Sequence, residues 1–261
     1  MSLITLITDF GTHDHYVASM KGVIYQIAPR ATVVDISHDV EPHNVLHAAF
    51  VLRHAWPWFP PGTVHLAVVD SGVGSSRRIL VGHYGGQYVV APDNGIVTLV
   101  HHELPLLALH VAENVRHFLA SVSMTFQGRD VMAPLAAKLS EGMRISDVGP
   151  RTDRVEVLPL ARPKCLPQQE TVGEVLFIDR FGNLLTNIGR ADLAPTFRVR
   201  HNVQVYLDET CVGPIRSCYG DVSPGEALAL IGSTDHLEIA VNQGSAAGVL
   251  RSGRGAVVHV R

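Results

Sequence analysis

Beginning at Tyr16, the apolar residues Val17, Met20, Ile24 and Ile27 recur every three or four positions, the spacing of one helix face. This predicts a helix over residues 16–28, stopped by Pro29, which cannot continue it. Residues 44–55 and 130–141 also read as helices. The apolar runs at 3–8, 32–36, 64–70, 79–84, 87–91 and 107–110 are too short for helices and predict strands. In the third of these, Val64, Leu66, Ala67, Val68 and Val69 are apolar and mostly β-branched, which suits a strand buried on both faces. Strand and helix alternate from residue 1 to about 160. This predicts an α/β domain whose sheet is covered on both sides.

The pattern changes after residue 160. Residues 161–169 hold Pro163 and Pro167 among polar neighbours and read as a linker. Beyond it the predicted elements are strands, at 172–178, 198–207, 227–231, 237–241 and 256–260, separated by Gly- and Asp-rich turns. The expectation for residues 170–261 is a small β-barrel or sandwich.

Composition narrows the function classes. The 261 residues are 46% hydrophobic and 17% charged, enough for a sizeable core and unlike a disordered chain. The net charge is −3 with no basic block, which argues against a nucleic-acid partner. No apolar run reaches membrane-spanning length, and the first strand starts at Leu3 with no signal-peptide pattern, so the expected location is cytoplasmic. Three scattered cysteines, Cys165, Cys211 and Cys218, fit reduced thiols rather than a disulfide frame. The 15 histidines cluster at His13-Asp14-His15, at His101-His102, and around His38 between Asp35 and Asp39. CxxC and HExxH are both absent, and no metal or cofactor is expected.

Several segments combine acids, amides and glycines where chemistry is done. Asp70 follows the third apolar run and precedes Ser71-Gly72-Val73-Gly74-Ser75-Ser76-Arg77-Arg78. An acid at the C-terminal end of a buried strand stands where open α/β sheets bind ligands. The glycines allow a sharp turn, so that Arg77 can fold back and pair with Asp70. Gly72-Val73-Gly74-Ser75-Ser76-Arg77 approaches GxGxxG, but Arg77 replaces the last glycine, so dinucleotide binding is rejected. Asp9 in Thr8-Asp9-Phe10-Gly11 is placed to accept both hydroxyls of a ribose, or to cap a turn. Residues 91–95 form a tight Ala-Pro-Asp-Asn-Gly turn, and 125–130, Thr-Phe-Gln-Gly-Arg-Asp, open a helix. In the second half, 178–187 and 231–247 offer donors and acceptors suited to an adenine edge and an amino-acid headgroup.

In this order, TDFG, VVDSGVGSSRR, APDNG, TFQGRD, DRFGNLLTNI and IAVNQGSAA resemble the SAM hydrolases (SAM hydroxide adenosyltransferases), relatives of the fluorinase and chlorinase. The resemblance implies a Rossmann-like α/β domain (1–160) with a C-terminal β-barrel (170–261). It also implies a homotrimer, each active site lying between one subunit's N-terminal domain and its neighbour's C-terminal domain. It implies hydrolysis of S-adenosyl-L-methionine to adenosine and methionine by water attacking C5′, with no cofactor. Asp9 matches the ribose-binding acid, and Asp70 and Arg77 match two members of the water-activating set. Asn183 matches an amide that contacts nucleoside and methionine. Ser233, Glu238 and Val241 match the segment around the amino-acid end and the adenine. The third water-activating member is a histidine in the family, and Gln127 stands in its place. Two other readings are an adenosine- or SAM-binding protein with little turnover, and a SAM-dependent halogenase. A third, a metal-dependent hydrolase built on the histidines, has the least support.

Overall fold

A computed structural model describes residues 2–168, 170–199 and 202–261. The chain forms two compact units, Met1–Leu158 and Pro159–Arg261. The first holds the strands β1 (Leu3–Thr8), β2 (Thr32–Ser37), β3 (Val64–Val68), β4 (Ile79–Tyr84), β5 (Gln87–Pro92) and β6 (Leu106–Val111). Its helices are α1 (Tyr16–Ile27), α2 (Val45–Ala55), α3 (Thr98–Glu103) and α4 (Ala133–Ser140). The sheet runs β2-β1-β3-β5-β4-β6. The strands β2, β1, β3 and β5 are mutually parallel, while β4 is antiparallel to both of its neighbours.

Alternation along the strands splits the core in two. Leu6, Leu66 and Val90 face Met20 and Ile24 of α1 and Leu135 of α4. Ile7, Ala67 and Val89 face Ala48 and Leu52 of α2 and Val100 of α3. Every residue of β3 is buried, the four apolar positions as well as His65, whose ring nitrogens find polar partners on the neighbouring strands. The helix expected over 130–141 begins instead as a π turn at Gly128–Met132, which passes directly into α4. Such turns recur at functional positions. Helix α3 has six residues, too few for a periodic signal to emerge.

In the second unit the strands are β7 (Lys164–Cys165), β8 (Thr171–Ile178), β9 (Leu184–Gly189), β10 (Val205–Leu207), β11 (Thr210–Gly213), β12 (Ile215–Arg216), β13 (Ala227–Ile231), β14 (His236–Val241) and β15 (Val257–Val260). Two short helices, α5 (Ala194–Val199) and α6 (Ala246–Val249), join them. The order is β11-β10-β15-β8-β9-β14-β13-β12, with β7 on β8. The first half of β8 pairs with β15 and the second half with β9, so the sheet curls around one apolar core and is nearly barrel-shaped.

The strand expected over 198–207 is corrected. Its start, Arg198 and Val199, belongs to α5, and only Val205–Leu207 is strand; residues 200 and 201 lie outside the described residues. Pro195 at the head of α5 and the buried Thr196 hydroxyl, 2.8 Å from Thr171 Oγ1, favour helix over the β-branched letters that follow. Strand β9 carries little strand signal, because after the polar turn at 179–183 the pair Leu184-Leu185 is followed by the polar Thr186 and Asn187. Among the described residues, no helix is long and apolar enough to cross a membrane.

Candidate active site

The chain leaves β1 for β2 on one side, and β3 then joins β1 on the other, so the strand order reverses between β1 and β3. Crevices at the carboxyl ends of strands flanking such a reversal are the ligand sites of open α/β sheets. Asp9 follows β1, and Asp70 lies two residues past β3. Both line one cavity of about 320 Å³, together with Phe10, Tyr16, Pro42 and His43. Asp9 Oδ2 accepts the backbone N–H of His43 at 2.9 Å. His43 holds that position at φ +65°, a left-handed conformation costly for a side-chain-bearing residue and typical of functional sites.

Asp70 and Arg77 pair as expected. Arg77 Nε donates to Asp70 Oδ1 at 2.8 Å and Nη2 to Oδ2 at 2.5 Å, a bidentate clamp with side chains 10% and 5% exposed. The glycine turn makes this possible. Gly74 sits at φ +80°, and a Cβ there would meet the Met124 carbonyl oxygen at 2.7 Å. Arg77 Nη2 also donates to Gln127 Oε1 at 2.5 Å, gathering the three residues around one guanidinium. Arginine has only donors, so the Gln127 carbonyl must face it and the amide N–H groups must point elsewhere. The second arginine braces the neighbouring turn. Arg78 clamps Asp93 of the 91–95 turn, and Asn94 Nδ2 donates to the Val69 carbonyl at 2.8 Å, tying that turn to the end of β3.

The second unit carries a cavity of about 530 Å³ lined by Phe181, Asn183, Tyr219, Val241, Asn242, Gln243 and Gly244. Asp179 holds two of these residues in place: its Oδ1 accepts the Phe181 and Asn183 backbone N–H groups, and its Oδ2 accepts Asn183 Nδ2 at 2.9 Å. Gly182 then approaches Ser245, joining the 178–187 turn to the 242–247 segment. Asn183 and Val241 therefore share one cavity. Glu238 is 6% exposed on β14 and accepts the Tyr219 hydroxyl at 2.7 Å. Burial pushes its carboxyl above the ordinary value, and burial together with Glu238 raises the Tyr219 phenol. Ser233 is exposed in the turn between β13 and β14, outside the residues that line the cavity.

Sequence reasoning passed over Tyr16, His43, Phe181, Tyr219, Asn242 and Gln243. Asn242 and Gln243 lie within the polar 231–247 segment, whereas Tyr219 carries no local signal. The histidine clusters separate: His38 sits beside Asp35, His101 Nδ1 lies 3.1 Å from the Tyr84 hydroxyl, and His13 is fully exposed. Among the described residues, no three His, Cys, Asp or Glu side chains converge as metal ligands.

The SAM hydroxide adenosyltransferase N-terminal domain model matches residues 4–149, and the corresponding C-terminal domain model matches 173–259. The chain belongs to the SAM hydroxide adenosyltransferase family. It is 38% identical over 253 residues to a Thermus thermophilus protein named (R)-S-adenosyl-L-methionine hydrolase, covering 94% of each chain. It is 36% identical over 252 residues to a Salinispora tropica protein of the same name, covering 95% of this chain and 93% of the other. A solved structure of a conserved Thermotoga maritima protein superposes with a TM-score of 0.91 at 40% identity, covering 98% of this chain and 99% of the other.

Proposed function

We propose that this chain hydrolyses S-adenosyl-L-methionine to adenosine and L-methionine, its Rossmann-like unit supplying the reacting groups and its barrel unit holding substrate. The sulfonium is its own leaving group, so the protein needs only to hold and deprotonate a water in line with the C5′–S bond. The observation that carries this reading is the shared guanidinium of Arg77, which fixes both carboxylate oxygens of Asp70 and the carbonyl of Gln127. Asp70 keeps lone pairs beyond those two bonds and accepts one water hydrogen. The Gln127 N–H occupies one water lone pair, leaving the other for C5′. As the C5′–O bond forms, the C5′–S bond breaks with its electron pair leaving on sulfur. The surplus proton passes to Asp70 and then to solvent.

In this reading Gln127 stands in for the family histidine without loss of pattern. A neutral imidazole that accepts from Arg77 on one nitrogen must carry its hydrogen on the other. The amide presents the same acceptor and the same donor. Asp9 accepts ribose hydroxyls with the lone pairs left free by His43. Asn183, Tyr219 and Val241 hold the nucleoside and amino-acid ends, and Glu238 acts through Tyr219. A halogenase is disfavoured because a clamped Asp70 anion beside the reacting carbon would repel a halide.

The working unit is proposed to be a homotrimer, each site combining one subunit's first unit with its neighbour's second. Purified protein is incubated with S-adenosyl-L-methionine, with and without chloride, fluoride or chelator, and the products are separated chromatographically. Equimolar adenosine and methionine, indifferent to halide and chelator, are expected. A 5′-halogenated nucleoside, dependence on metal, or binding without turnover would overturn the reading.

A further inference from the structure

We infer that Thr8 and His38 are positioning residues that aim the Asp9 carboxylate, at the buried end of a chain of polar contacts that starts at the partly exposed Lys21 and Asp35. This rests on the ribose-binding role proposed for Asp9. The ladder between β1 and β2 slips at Leu6/Ile7, so regular pairing is already broken before the chain reaches Asp9. Side chains replace it. The Thr8 hydroxyl oxygen accepts the Phe10 backbone N–H at 3.2 Å and lies 2.9 Å from His38 Nδ1. The backbones are laced in the same place: Gly11 N–H donates to the His38 carbonyl at 2.8 Å, and Val40 N–H to the Thr8 carbonyl at 3.4 Å. The residues on both sides of Asp9 are thus pinned to His38 and its neighbours, while Asp9 itself spends one oxygen on His43.

His38 is held in turn from behind. Its side chain is 5% exposed, and Nε2 lies 3.1 Å from Asp35 Oδ1, close but off the hydrogen-bond axis. Asp35 Oδ2 accepts Lys21 Nζ at 2.6 Å. Burial works against the Asp35 anion, yet Lys21 and His38 together hold its carboxyl below the ordinary value. Thr8 is fully buried, so its hydroxyl cannot meet substrate and acts only through Asp9. A carboxylate that must meet two hydroxyls at once tolerates little angular error, and held geometry of this kind is what supporting hydrogen bonds supply.

The test compares Thr8→Val, which keeps the side-chain shape and removes the hydroxyl, with Thr8→Ser, which keeps the hydroxyl, and with Asp9→Ala as reference. Adenosine binding is read by calorimetry, S-adenosyl-L-methionine turnover by steady-state rates, and folding by thermal melting. Thr8→Val is expected to raise the adenosine Kd and the substrate KM about tenfold, the scale of one buried hydrogen bond lost with its partner left unpaired, with a smaller change in kcat. Thr8→Ser restores wild-type affinity. Asp35→Ala acts at the half-exposed end of the chain and is expected to raise the Kd about threefold with a native melting curve. If Asp9→Ala weakens adenosine binding while Thr8→Val and Asp35→Ala bind as wild type, the positioning role is wrong and the ribose role stands. If Thr8→Ser fails to rescue, the effect is packing and the inference falls. If Asp9→Ala itself binds adenosine normally, the ribose role fails first.

Discussion

At the residue scale, two nitrogens of Arg77 hold both carboxylate oxygens of Asp70 and the carbonyl of Gln127, and the proposed mechanism rests on the atoms this leaves free. Asp70→Asn should lower single-turnover rates at least a thousandfold, since the amide cannot accept the proton. Gln127→Leu removes the acceptor for Arg77 and, with it, the proposed donor to water, and a loss of about a hundredfold is expected. Gln127→His should stay within about tenfold of wild type near neutral pH, because the neutral ring reproduces the amide's pattern. Its rate should fall as pH drops through about 6.5, where an imidazolium would turn a second N–H toward Arg77. Wild type, with no imidazole on Arg77, should not share that fall. Single-turnover rates of the four proteins from pH 5 to 9 decide this; a Gln127→His enzyme that gains a hundredfold would show that the glutamine is a defect.

At the element scale, the centre of the first unit's sheet is stitched by a buried imidazole. His65 on β3 lies 2.7 Å from Thr5 Oγ1 on β1 and 2.7 Å from Gln87 Oε1 on β5, with its ring stacked on Trp56. Gln87 Nε2 donates to the Trp56 and Phe59 carbonyls, so its oxygen must accept from His65 Nε2–H; a neutral ring then accepts the Thr5 hydroxyl at Nδ1. Burial lowers its pKa from 6.5 to about 4, with the Gln87 contact opposing the shift. The unfolded chain therefore binds the extra proton first as pH falls from about 6.5 to about 4. Stability is full above 6.5 and is lost progressively through that window, by on the order of 3 kcal/mol for this group. Denaturant unfolding of the wild type and of His65→Gln at pH 7 and pH 4.5 measures it. The variant should be weaker at pH 7 and show a smaller drop between the two pH values; equal drops would reject the assignment. In the second unit, Gly182 sits at φ +85° with Ser245 packed where a Cβ would go. Gly182→Ala should cost about 2 kcal/mol or more and disturb the cavity holding Asn183. An unchanged melting curve would contradict that.

At the scale of the whole molecule, the two cavities belong to separate units, one carrying Asp9 and Asp70, the other Asn183 and Tyr219. If sites are completed between subunits, two inactive variants with damage in different units should rescue each other. Co-expressed Asp70→Asn and Asn183→Ala subunits should regain a measurable part of wild-type activity, and light scattering should report a trimer. A fully active monomer, or no activity in the mixture, would rule out the shared site.

The sequence alone was enough for whatever local spacing controls. The apolar period placed α1 and α2, and the mostly apolar run of 64–69 placed β3, because burial on a face is written in the spacing of apolar residues. The Asp70–Arg77 clamp was also legible, since seven residues and two glycines suffice to close it. Tertiary structure decided the rest. The antiparallel insertion of β4, the contact of Gln127 with an arginine 50 residues away, the Tyr219–Glu238 bond and the Thr8–His38 contact across 30 residues leave no periodic trace. The helical start of 194–199 likewise depended on a buried threonine pair and a proline rather than on β-branched letters. A buried polar group takes whichever partner the packed chain brings within 3 Å, and that choice is made only when distant strands meet.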